Sequence, residues 1–293
     1  MTKETILVTG ATGNVGSVLV EKLLALDNFN VRAAVHSVSK AKSLQELGAQ
    51  VVEMDFNSLE SVTTALTGVD KVFFLTPAVP NFDKFTQTVC DAAVQVGTVK
   101  QIVRQSVIGA SKDSPLILSQ MHFQSEKLIE ATGIPYTFIR PTAFAQQLTG
   151  IFPWVYRQGE SSFYLPIGEA KVAWLDARDI ATLAAEVLTN PEPHQGKAYH
   201  LTGSTPVSGS EAADKISFVT GKTITYVDEP IEAYQKRMAQ VGANEMTIGQ
   251  MSIIYGDMKE GWLGTVINDF EEVMGKPATP FAQFVSDYAQ VWQ

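Results

Sequence analysis

The stretch Gly10-Ala11-Thr12-Gly13-Asn14-Val15-Gly16 constrains the fold of this 293-residue chain more than any other feature. The apolar, β-branched run Thr5–Thr9 precedes it, and Val15, Val18, Leu19, Leu23 and Leu26 follow at helical spacing. A strand, a turn with three evenly spaced glycines, and a helix together form the phosphate-cradling start of a βαβ unit. Gly10 lets the chain leave the strand sharply. Gly13 lets backbone approach a pyrophosphate, and Gly16 lets the helix pack closely on the sheet. Amides at the helix start, with the helix dipole behind them, favour the anion. The expected ligand is a nicotinamide dinucleotide held by Gly10, Thr12, Gly13, Asn14, Val15 and Gly16. A turn needing glycine for geometry alone is the plainer alternative, and equal spacing at the first βα junction argues against it.

The next strand, Val31–Val35, runs into His36-Ser37-Val38-Ser39-Lys40. A site built for NAD places Asp or Glu about 20 residues past the loop, on the ribose hydroxyls. No acid stands here. His36 and Lys40, with Arg32 further back, offer positive charge to a 2′-phosphate, so NADP(H) is expected in preference to NAD(H), although histidine grips phosphate less well than arginine. Asp55 and Phe56, at the end of a third strand, suit the edge and face of an adenine. Thr76 and Pro77 end a fourth strand where the cofactor crosses the sheet.

Strands and helices alternate through the first half. Strands are expected at Val51–Met54, Lys71–Leu75, Gln101–Ser106 and Tyr136–Arg140. The helices between them are Lys40–Leu47, Leu59–Leu66, Phe82–Val96 and Leu116–Ala131. Glycine or proline stops most of these elements. Single helices between strands imply right-handed crossovers and a parallel sheet covered on both faces. The rhythm breaks after Pro141 into an aromatic-rich segment, followed by a helix over Trp174–Leu188 and a last strand at Ala198–Leu201. Helices are expected beyond that over Glu211–Thr220, Ile231–Val241, Glu245–Glu260 and Phe281–Val291. The fold class is α/β: a doubly wound, mostly parallel Rossmann sheet with a smaller, mainly helical C-terminal lobe. The dinucleotide domain is expected to take residues 1–141 and about 170–206, and the lobe 142–169 and 207–293.

Composition narrows the function. Lys and Arg number 22 against 31 Asp and Glu, a net charge of −9, which disfavours direct nucleic-acid binding. Cys90 is the single cysteine, so internal disulfides and thiolate zinc sites are excluded, and it reads as a small buried hydrophobe. His194 and His200 lack metal-ligand spacing. With no membrane-spanning run and no signal peptide, the cytoplasm is the expected location.

The chain resembles the NmrA-like branch of the atypical short-chain dehydrogenase/reductase superfamily. Gly10–Gly16, Val31–Lys40, Phe73–Pro77, Gly133–Pro141, Asp176–Ala181, Tyr199–Gly203 and the tail Gly275-Lys276-Pro277 with Phe281 and Phe284 carry the likeness. It covers nearly the whole chain, and Ile134–Pro141 and the tail are its more specific parts. The resemblance implies either an NAD(P)H-dependent reductase of quinones and conjugated dyes or a redox sensor that binds the dinucleotide and regulates a partner.

One departure bears on chemistry. Catalytic members of the wider superfamily use a Tyr acid and a Lys four residues later. Counting back from Gly133, Leu118 occupies the Tyr position and His122 the Lys position, with Glu126 one turn on. Tyr255 and Lys259 match the spacing only by chance. Without the Tyr acid, reduction of an isolated ketone or a sugar-nucleotide reaction is disfavoured. Quinones and extended cations accept hydride without it, given a dry slot that stacks the acceptor on the nicotinamide. His122 is the candidate catalytic residue, oriented by Glu126. Ser106 and Pro141, at the ends of the fifth and sixth strands, complete the expected cofactor contacts. Phe144, Gln147, Phe152 and Trp154 are the candidate walls for a small planar conjugated acceptor such as a quinone. Two partner readings stay open, a homodimer and a regulatory protein. No metal and no membrane are expected.

Overall fold

The computed structural model describes residues 3–77 and 82–293. The chain divides into two compact units, Met1–Arg140 with Arg178–Tyr199, and Pro141–Ala177 with His200–Gln293. The segments 170–177 and 200–206 thus fall in the second unit.

The first unit is built on a wound sheet, with Pro141, His200 and Leu201 at its strand ends counted in the second. Its strands are β1 (Glu4–Val8), β2 (Phe29–Val35), β3 (Gln50–Glu53), β4 (Lys71–Phe74), β5 (Gln101–Gln105), β6 (Tyr136–Pro141) and β8 (Lys197–Leu201), in the order β3-β2-β1-β4-β5-β6-β8. Pairing from β3 through β6 is parallel throughout. Helices α1 (Gly16–Ala25), α2 (Lys42–Glu46), α3 (Leu59–Leu66), α4 (Phe82–Val96), α5 (Ile117–Ala131) and α6 (Ala177–Thr189) connect the strands. Leu7, Val72, Phe74 and Ile102 of the central strands are fully buried against Val62, Leu66, Ala92 and Ile129 of the helices. The alternating Ile6, Val8, Phe73 and Val103 are fully buried as well, and burial on both faces explains why the central strands carry continuous apolar stretches. Strand order reverses between β1 and β4, and a doubly wound sheet opens its binding crevice at such a point, beyond the carboxyl ends of the strands.

Two helices in the first 190 residues differ from the sequence expectation. Residues 40–47 divide into a 3₁₀ turn, Val38–Ala41, and the short α2, because Ala41 leaves helical geometry at φ −116°, ψ 20°. The helix expected from Trp174 begins at Ala177. Leu175 is instead bridged to Phe144, its amide bonded to Ala143 O and its carbonyl to Ala145 N.

The second unit holds a two-stranded parallel sheet of β7 (Ser162–Tyr164) and β9 (Thr225–Val227). Its helices are α7 (Gly209–Thr220), α8 (Ile231–Gln240), α9 (Glu245–Lys259), α10 (Asp269–Met274) and α11 (Phe281–Asp287). A reciprocal Ser208–Glu211 capping box starts α7. Past α11 the chain tightens into a 3₁₀ turn, Ala289–Trp292, whose indole Nε1 donates to Leu148 O at 3.0 Å. Among the described residues, no helix is long and apolar enough to cross a membrane.

Candidate functional site

A cleft of about 430 Å³ lies over the carboxyl ends of the first four strands, within the size range of cofactor sites. Its lining comes from Thr9–Gly13, Ala34–His36, Met54–Asn57, Leu75–Pro77 and Phe85. Of the residues expected from the sequence, it brings together Gly10, Thr12, Gly13, His36, Asp55, Phe56, Thr76 and Pro77. Asn14, Val15, Gly16, Lys40, Ser106 and His122 stand outside this lining, and Pro141 lies at the start of the second unit.

The glycine loop is shaped by contacts within itself. Gly10 takes φ +61°, and a Cβ there would also press on Leu75 Cδ2 at 3.0 Å. The Gly13 amide closes the turn on Gly10 O at 2.9 Å. A Cβ on Gly16 would fall 2.2 Å from Gly10 O and 2.8 Å from Ala11 Cα. The close approach that Gly16 permits is therefore between helix and loop, rather than between helix and sheet. Helix α1 begins behind Val15 with no side-chain cap and no acid in its first turn. Of its first amides, that of Ser17 is turned back on Gly13 O at 3.0 Å, and an anion meets a helix start whose dipole no acidic side chain offsets. Bare backbone, an uncapped helix start and a neutral first turn all suit a dinucleotide pyrophosphate.

Thr9 fastens the floor. Its hydroxyl donates to Leu75 O at 2.8 Å and accepts from the Leu75 amide at 2.7 Å, tying the end of β1 to the end of β4. On the far wall, Phe56 stacks on Phe85 with centroids 5.5 Å apart and 19° between planes. Asp55 Oδ1 accepts from the amide and side chain of Asn57. Those bonds hold its carboxyl below the usual range, with His36 adding a smaller attraction. Asn57 and Phe85 were not singled out from sequence. Asn57 was visible as the last residue of an Asp-Phe-Asn strand end, whereas Phe85 arrives from α4 and has no local signature.

The residues expected to meet a 2′-phosphate separate. His36 lines the cleft, whereas Lys40 is exposed on the 3₁₀ turn outside it. Arg32 is committed elsewhere: its guanidinium donates to Ala65 O, Thr67 O and Gln50 Oε1. It closes the carboxyl end of α3 instead of facing the ribose.

Beneath the cleft lies a charged group that the sequence reading missed. Arg104 of β5 is wholly buried. It donates to Phe74 O at 3.2 Å and to the Thr76 hydroxyl at 2.9 Å. Its guanidinium lies 4.6 Å from the Phe74 ring centre and 5.7 Å from that of Phe82. Burial drives its pKa down to about 9, against a smaller opposing pull from Glu126. The His122 ring packs on Phe82 at 4.8 Å. Burial, and then the charge of Arg104, hold His122 well below the ordinary histidine range. Glu126 does not orient His122. It takes both arms of the Arg140 guanidinium, at 2.9 and 2.6 Å. The Ser106 hydroxyl is buried and finds no hydrogen-bond partner among the described residues. Burial pushes the Cys90 thiol up to about 12, which leaves it an unreactive core group.

The four candidate substrate residues belong to the second unit. Phe152 and Trp154 stack at 4.9 Å and 11°. Gln147 is buried with its Oε1 unpartnered, and Phe144 forms the bridge to Leu175.

With this geometry in view, the comparisons are specific. The model of the NmrA-like family matches residues 2–279. The chain belongs to the NmrA-like family. An NAD(P)H azoreductase of Xenophilus azovorans is 35% identical over 284 residues, 97% of this chain and 98% of that one. Quinone oxidoreductase 2 of Escherichia coli is 27% identical, covering 96% of this chain and 97% of its own. Among solved structures, the triphenylmethane reductase of Citrobacter sp. complexed with NADP(H) superposes with a TM-score of 0.82 at 27% identity. That match covers 97% of this chain and 99% of the other. NmrA-like membership thus joins this chain to relatives named for azo, quinone and dye reduction.

Proposed function

We propose that the protein is an NAD(P)H-dependent reductase of quinone-like and other planar conjugated acceptors, working by direct hydride transfer without a tyrosine acid. The observation that carries the proposal is the cleft over β1, β2, β3 and β4, with its glycine loop, uncapped helix start and aromatic wall. Relatives named as azo, quinone and dye reductases support the acceptor class.

In this reading Gly10–Gly16 and the first amides of α1 hold the pyrophosphate. Asp55 and Phe56 meet the adenine, and Thr76 and Pro77 guide the chain of the cofactor across β4. The bound nicotinamide supplies the hydride. Leu118 leaves no phenol to protonate an alkoxide, which restricts the acceptor to molecules whose reduced form is a stabilised anion or a neutralised cation. Phe144, Gln147, Phe152 and Trp154 are proposed to wall the acceptor. Preference for NADP(H) rests on His36 and is modest, since Arg32 is occupied and Lys40 lies outside the lining.

The test is binding of NADPH and NADH to the full chain, followed by nicotinamide absorbance with a panel of quinones, azo dyes and triphenylmethane dyes. Oxidation of NADPH by at least one acceptor is expected. Tight binding with no oxidation by any of them would replace this reading with that of a noncatalytic redox sensor. His36→Arg should strengthen NADPH binding and leave NADH binding unchanged. Equal effects on both would remove His36 from the 2′-phosphate.

A further inference from the structure

Among the described residues, Arg104 and His122 each carry one buried polar atom that finds no hydrogen-bond partner. Arg104 has satisfied Nη1 and Nη2 on Phe74 O and the Thr76 hydroxyl, yet its Nε is sealed from solvent and unpartnered. His122 Nδ1 is likewise sealed and unpartnered. Both side chains press on the same ring, Phe82. A buried polar atom left unpaired costs about 1–3 kcal/mol, so two on adjacent side chains call for a reason.

Hydrogen-bond chemistry supplies one. A guanidinium offers only donors and accepts nothing. A neutral imidazole has one nitrogen with hydrogen and one with a lone pair, and Nδ1 is the nitrogen shut inside. Hydrogen on Nδ1 would bury an N–H in the field of a cation with no acceptor. A lone pair there meets that field favourably, and one water between the two would complement the free Nε–H. Other charged groups around the ring do not reverse this. Glu126 of α5 is spent on Arg140 of β6, and Cys90 of α4 remains a neutral thiol.

We propose that Arg104 is a positioning residue that locks His122 as a neutral imidazole with its hydrogen on Nε2, leaving an uncharged hydrogen-bond donor in place of the missing tyrosine. In the reductase reading the donor serves a carbonyl-type oxygen of the acceptor, and its bond strengthens as that oxygen takes on negative charge with the arriving hydride. Neutral donors of this kind keep their proton state fixed through the reaction. The donor role rests on the reductase reading, whereas the lock does not.

The experiment is a long-range ¹H–¹⁵N correlation spectrum of the full chain labelled at histidine. It resolves protonation and tautomer for His36, His122, His194 and His200, with His122→Asn giving the assignment. Expected is a His122 pattern of neutral Nε2–H that does not change across the range where histidines ordinarily titrate, about pH 5–8. A His122 that titrates there, or that carries its hydrogen on Nδ1, overturns the lock. In Arg104→Met the pattern should become a mixture of tautomers. In Arg104→Lys, which keeps the charge, His122 should remain neutral. An unchanged Arg104→Met spectrum would overturn the role of Arg104, and if Arg104→Met does not fold, the wild-type spectrum decides. With an acceptor found, Arg104→Met should lower kcat about tenfold or more and add a pH dependence absent from the wild type. KM for NADPH should change little. A protein that reduces no acceptor yet shows the expected spectrum keeps the lock and loses the reductase reading.

Discussion

Gly16 and Arg32 show how much a single position depends on neighbours that sequence does not display. Gly16→Ala sets a methyl 2.2 Å from Gly10 O, and backbone, unlike a flexible side chain, gives way poorly. We expect a loss of about 2 kcal/mol in stability, and dinucleotide affinity weakened at least about tenfold, read by thermal denaturation and by fluorescence titration. Arg32→Gln should behave differently. Because that guanidinium closes α3 through Ala65 O and Thr67 O, its loss should lower stability by about 1.5 kcal/mol. The ratio of NADPH to NADH affinities should not move. A changed ratio would restore Arg32 to the 2′-phosphate. The glycine loop was legible because local backbone geometry dictates its residue types. The commitment of Arg32 was not, since its acceptors lie 18 to 35 positions along the chain. Arg104 escaped notice for a related reason: in the mixed segment Gln101–Ser106, only the tertiary fold reveals that its charge is buried.

Among the elements, β1 and β4 are joined at both ends. At the amino end Lys71 is buried, donates to Leu188 O at 2.9 Å and pairs with Glu4 at 2.8 Å, while Lys100 reaches both Glu4 and Asp70. The Lys71 hydrogen bond holds the Glu4 carboxyl below its ordinary value of 4.5, against the opposing effect of burial. A depressed folded pKa contributes stability above the unfolded value and loses it as pH falls through the folded one. Acid unfolding should therefore gain part of its slope below about pH 4.5. Glu4→Gln should lower stability at neutral pH and flatten that limb of a pH series of denaturant melts. A parallel series with an undiminished slope would remove Glu4 from the account. Most elements of the first unit could be read from apolar period and glycine stops. Strands β7 and β9 could not, being three residues each and too short for any period to register. Helix α11 was expected to run on to Val291, but its chain instead tightens around Trp292, an effect of long-range packing on Leu148.

At the scale of the whole molecule, the reversal of strand order was implied by the βα rhythm, and the family likeness spans nearly all of the chain. The roles of Phe144, Gln147, Phe152 and Trp154 were not legible, because a stacked aromatic pair reads alike in a core and in a binding wall. The Thr9 clasp bears on time as well as on energy. With its hydroxyl bonded to both the amide and the carbonyl of Leu75, the floor of the cleft is held by bonds within the chain and needs no dinucleotide to form them. Capture should then be a single bimolecular event. In a stopped-flow record of NADPH fluorescence, the observed rate should rise linearly with concentration, without the plateau that a preceding rearrangement imposes. Thr9→Val keeps the side-chain volume and cuts the clasp, and it should introduce that plateau.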